Sequence, residues 1–242
     1  MRKKDQSGPV VAPFHHRHKL PWFKSRHIWL FGTLMLYLLI VPLIEQIMPK
    51  SKSILDLFIV FVLVAAAYTV IDRKRTFFIA LFLFVAGLVL LMGEFYWQTK
   101  RALIAGSVCY VGFMAIVIFA IVKEVLTQKE VSFDTIAGAL NGYLLMGLMW
   151  GFAYQAVEAS WSGSFHIPAQ LLETVRSSLY AYDLPALFYF SFVTITTTGY
   201  GDITPLTPIA GQLAITESVV GQFYMVVLVA RLVSLHTMKS KS

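Results

Sequence analysis

Cysteine occurs only once in the 242 residues, as Cys109, and charged residues make up just 14% of the chain. A single thiol excludes a disulfide framework. So little charge cannot clothe a soluble domain of this length. The net charge of +7 is small beside the apolar content and does not mark a nucleic-acid binder; the basic residues read as setting orientation in a bilayer. Within the apolar runs there is neither a metal-ligand spacing of His, Cys, Asp or Glu nor a nucleophile–base pair. The chain therefore does not read as an enzyme. The first apolar run begins only at Ile28 and is long, unlike a cleaved signal peptide. What is present in quantity is hydrophobic residue, 57% of the chain. That composition predicts an all-α integral membrane protein.

Six runs reach the roughly twenty residues that a bilayer requires. They are Ile28 to Met48, Ile54 to Ile71, Phe77 to Trp97, Ala102 to Val122, Ile136 to Val157 and Ile209 to Leu235. A seventh, Leu184 to Thr196, is too short to span. Pro185 suits the first turn of a helix, and Asp183 before it suits a cap, as Asp134 suits the cap of the fifth span. This run reads as a re-entrant helix, which membrane depth tolerates only when it is buried in protein. With the N-terminus cytoplasmic, fourteen Lys and Arg fall inside and five outside. Both termini are then expected in the cytoplasm of a plasma (inner) membrane. The basic stretch Met1 to His27 is expected to touch anionic lipid. Its His15, His16 and His18 admit a second reading, a metal or pH site.

Between the re-entrant run and the last span lies Thr194-Ile195-Thr196-Thr197-Thr198-Gly199-Tyr200-Gly201-Asp202. Such a string suits neither helix nor ordinary strand. Glycine at alternate positions permits positive φ. Successive carbonyls can then point the same way, and four chains on one axis would stack rings of oxygens around a dehydrated cation. Thr197-Thr198-Gly199-Tyr200-Gly201-Asp202, between Ile195-Thr196 and Ile203-Thr204-Pro205, closely resembles the selectivity filter of the tetrameric potassium channel family, in its prokaryotic ion-channel-domain type. Thr198 is the one departure, since the family filter carries Val there.

The resemblance covers roughly Asp134 to Ser234. It implies a C4 homotetramer, each subunit with six transmembrane helices, one re-entrant pore helix and an extended filter. The implied domains are a basic tail (1–27), a four-helix domain (28–122), an amphipathic linker (123–134), a pore domain (135–236) and a short tail (237–242). The implied ion path is the carbonyls of Thr197, Thr198, Gly199, Tyr200 and Gly201 plus the Thr197 hydroxyl, with potassium (K+) as the permeant ion. Thr196, Asp202 and Tyr189 would support the filter, Tyr189 by a hydrogen bond to Asp202. Phe188, Tyr189, Phe190 and Phe192 would form an aromatic cuff around it. On the inner helix, Gly221 has two readings, a gating hinge or close packing against the fifth helix. Glu217 faces the pore or is hydrogen-bonded behind the filter. Gln222, Met225 and Val229 recur at helical spacing and would line the cavity. Pairs Gly138/Gly142 and Gly147/Gly151 would seat the fifth helix closely against its neighbours.

In six-helix relatives the fourth helix carries voltage-sensing arginines. Here Leu103 to Val122 contains no Arg, Lys, Asp or Glu. Without charge to move through the field, the first four helices are not expected to sense voltage in that way. The expected function is a potassium-selective channel with itself and membrane lipid as partners. A weakly selective monovalent cation channel is the alternative, should Thr198 widen the filter. A secondary transporter or accessory subunit belongs to a different class. The sequence shows no inverted repeats, and it holds a filter with both flanking helices.

Overall fold

The computed structural model describes residues 26–47, 52–69, 74–97, 99–128, 132–168 and 184–239. The tail histidines 15, 16 and 18 and the Asp183 cap lie outside the described residues. The helices are α1 (Arg26–Ile47), α2 (Lys52–Tyr68), α3 (Lys74–Trp97), α4 (Lys100–Thr127), α5 (Phe133–Ser160), α6 (Leu184–Ile195) and α7 (Pro208–Lys239). Two short strands, β1 (Phe165–His166) and β2 (Thr204–Pro205), pair antiparallel, with Phe165 opposite Pro205 and His166 opposite Thr204.

Four stretches are long and apolar enough to cross a membrane: Lys74–Gly93, Lys100–Thr127, Phe133–Ser160 and Pro208–Arg231. Shorter apolar stretches come from α1 and α2 (Arg26–Ile40 and Ile59–Tyr68) and from all of α6. A chain built this way belongs in a membrane, because only a helix satisfies its own backbone there.

Helix α5 is the hub, packing on α4, α6, α1 and α7, while α1 carries α2 and α4 carries α3. One apolar core runs through α1 to α7 and includes Leu34, Phe113, Met114, Phe152, Phe188 and Leu228. A second gathers Trp150, Tyr154, Phe165, Leu187, Phe190 and Ile203 beside the two strands.

Three boundaries differ from the sequence reading. Helix α1 begins at Arg26, so His27 is no part of a tail; it is buried, and its carbonyl accepts a 2.6 Å bond from Asn141 Nδ2. Helix α4 continues to Thr127, which makes the first part of the expected linker a helical extension. The cap of α5 is Ser132, not Asp134. Ser132 has the extended backbone a cap needs (φ −117°, ψ 164°), and its Oγ accepts from Thr135 N at 3.1 Å. Asp134 falls instead in the first turn, where a carboxylate complements the helix dipole.

Candidate ion pathway

Helix α6 ends by turning its backbone back on itself. The N–H of Thr196 donates to Phe192 O, that of Thr197 to Thr194 O, and those of Thr198 and Gly199 to Val193 O, at 3.0–3.3 Å. The Tyr143 hydroxyl, from α5, donates to Ile195 O at 2.9 Å. The carbonyls that any helix C-terminus leaves unpaired are thereby largely occupied. The chain beyond them is exposed on the protomer from Thr196 to Gly201.

Along this strip φ is positive at every second residue: 57° at Thr197, 58° at Gly199 and 78° at Gly201. Alternating the hand of the backbone turns successive peptide planes so that their carbonyls share one direction. Glycine adopts this at little cost. Thr197 does not, because a β-branched residue in the left-handed region is strained. The sequence pointed to the two glycines and missed this threonine.

The threonine hydroxyls form a relay. Thr196 Oγ1 donates to Phe192 O at 2.6 Å and lies 2.9 Å from Thr198 Oγ1. One hydroxyl has one proton, so Thr198 is the donor in the second contact. The Thr198 hydroxyl is therefore engaged with Thr196.

At the far end of the strip the Tyr189 hydroxyl donates to Asp202 Oδ2 at 2.6 Å. The Tyr189 and Tyr200 rings stack at 6.5 Å with 12° between planes. The Tyr189 bond, helped by the Ile203 amide, holds the Asp202 carboxyl below the usual carboxylate range. Phe188 packs edge-on against Phe152, and Phe190 against Tyr154 and Phe165. Phe192 fills the notch left by Gly147, where a Cβ would lie 2.6 Å from its ring; Phe188 fills the notch of Gly151. Tyr189 meets the strip through Tyr200.

Glu217 on α7 is fully buried. It receives the Tyr154 hydroxyl of α5 on Oε2, and Ser191 Oγ of α6 lies 2.5 Å from Oε1. It sits behind the strip, not in the open. Gly221 packs against Ile195 of α6, not against α5: a Cβ there would lie 2.5 Å from Ile195 Cγ1. Gln222 and Val229 are exposed and Met225 is half-buried. Tyr154, Ser191 and Tyr143 escaped the sequence reading. Their only signal was a polar atom within an apolar run.

The C-terminal parts of α4 and α7 also meet. Arg231 donates to Gln128 O at 3.0 Å, and Val125 and Leu126 face Val220, Phe223 and Val227 across an apolar cavity of about 320 Å³.

Residues 142–237 match the model of a protein family described as Ion channel. Over these residues, which hold most of α5 and all of α6, the strip and α7 up to residue 237, the chain is similar to ion channels. No curated protein and no solved structure matches the chain.

Proposed function

We propose that this chain is the subunit of a homotetrameric, potassium-selective channel of the plasma membrane, with both termini cytoplasmic. Four copies would bring Thr197, Thr198, Gly199, Tyr200 and Gly201 around one axis, where their carbonyls replace the water shell of K+. The alternating positive φ at residues 197, 199 and 201 carries this reading, because carbonyls aligned on one side are what a dehydrated cation requires. The apolar exposure of α7 supports the tetramer. Ile215, Val219, Phe223, Val226, Val227 and Val229 all lie open along one side of the helix, an apolar surface that neighbouring copies would cover. The relay from Thr198 to Thr196 supports potassium selectivity over the weakly selective alternative, since the extra hydroxyl already has a partner. The uncharged middle of α4 supports a bundle that braces the pore without sensing voltage.

The test is a voltage ramp on purified protein in a planar bilayer, with potassium on one side and sodium on the other. The expected reversal lies near the potassium potential and is lost in Gly199→Ala. A reversal near zero with intact currents would favour the weakly selective channel and sink the potassium reading.

A further inference from the structure

Three oxygen–oxygen contacts meet around Glu217. Tyr154 Oη touches Oε2, Ser191 Oγ lies 2.5 Å from Oε1, and the same Ser191 Oγ lies 2.6 Å from Gly147 O. Each contact at such a distance needs a proton between its oxygens, or two lone pairs are pressed together. Tyr154 supplies one proton and Ser191 one. Gly147 O is a carbonyl and supplies none. The third must come from the carboxyl itself.

A neighbouring site shows that the count discriminates. Ser107 Oγ lies 2.9 Å from Leu103 O and 2.8 Å from Gln155 Oε1, again two contacts for one hydroxyl proton. There the Gln155 amide can be turned so that its NH₂ donates. A carboxyl has no NH₂ to turn, so balance at Glu217 requires a proton on Oε1.

We infer that Glu217 carries a proton and is the positioning residue that locks the pore helix α6 to α5 and α7 behind the filter. As a neutral acid it accepts from Tyr154 on Oε2 and donates to Ser191 through Oε1, which frees Ser191 to donate to Gly147 O. One side chain of α7 thus closes a continuous chain of bonds to both neighbours. The groups facing it fit this state. Tyr154 comes from α5, with Tyr143 of the same helix the other titratable group that senses it, and Ser191 comes from α6. Among the described residues no Lys, Arg or His is ion-paired with Glu217. A charge there would stand buried without a counter-ion.

The role in conduction rests on the channel reading above; the proton does not. Glutamine reproduces the donor and acceptor pattern of a protonated glutamate, whereas alanine empties the site. Full-length wild type, Glu217→Gln and Glu217→Ala are reconstituted and compared by infrared spectroscopy at neutral pH, thermal unfolding and bilayer recording. The wild type minus Glu217→Gln infrared difference should contain the C=O stretch of a protonated carboxylic acid. Glu217→Gln should keep its melting temperature and keep unitary current within twofold, while Glu217→Ala loses both. A difference spectrum showing only carboxylate bands, or a Glu217→Gln protein as damaged as Glu217→Ala, would overturn the inference. If the wild type carries no current at all, the spectrum and the melting curves still decide the proton, and the channel reading alone falls.

Discussion

Gly221→Ala distinguishes a hinge from a packing contact. In a helix interior alanine is favoured over glycine by about 1 kcal/mol. On a free hinge the substitution would therefore stabilise the protein and change only how often the pore opens. The structure offers less room than that. The new Cβ would sit 2.5 Å from Ile195 Cγ1 and 3.2 Å from Ile195 O, where carbon atoms prefer about 3.5–4.0 Å. Something must move by about 1 Å. Ile195 is fully buried and its carbonyl is held by Tyr143, so it cannot swing aside. Overpacking of this kind costs about 1–3 kcal/mol, which outweighs the propensity gain and leaves a net loss of up to about 2 kcal/mol. Because Ile195 leads directly into Thr196 and Thr197, the displacement reaches the filter strip. Thermal unfolding should show a lower melting temperature, and single-channel recording a reduced unitary conductance. A raised melting temperature with unitary conductance unchanged and only open probability altered would refute this reasoning and restore the hinge.

Further outcomes follow from the same geometry. Thr198→Val removes the bond to Thr196, worth about 1 kcal/mol, and should leave the potassium-over-sodium reversal potential unchanged; a collapse of selectivity would show that the hydroxyl faces the ion. Tyr189→Phe removes the main cause holding the Asp202 carboxyl low. The support that ionised Asp202 gives the filter mouth is present above the ordinary carboxylate value and is lost as pH falls through its lowered one. In the variant, current measured against external pH should therefore fail at a higher pH than in wild type. Asn141→Ala leaves His27 O without its 2.6 Å donor in a buried site; stability in thermal unfolding should fall by about 1–3 kcal/mol.

The turn of the 196–201 strip was legible in the sequence, because backbone freedom is written in glycine. Gly199 and Gly201 announced their positive φ. Thr197 could not, since nothing about a threonine reveals that its neighbours force it left-handed. Helix α6 was legible in length. What its phenylalanines pack against was not, because Phe192 and Phe188 sit in notches that Gly147 and Gly151 leave on α5. That complementarity needs both helices at once. Glu217 stood out as a lone acid in an apolar span, yet its partners Tyr154 and Ser191 lie 63 and 26 residues away in the chain. A cap was expected at Asp134 from residue type alone. Ser132 won because its hydroxyl and that of Thr135 satisfy each other's amides.

The short ladder between β1 and β2, reinforced by Leu206 N donating to Ser164 O at 2.7 Å, clips the chain just after α5 to the chain just after the filter. Everything from Ile167 to Ile203 thereby becomes a loop with a fastened neck. Within that loop, α6 and the strip are pinned from behind by α5 and α7. The clasp fixes the separation of the two ends it joins, so a disturbance in α6 is returned to α5 at two places, through the helix contact and through the ladder.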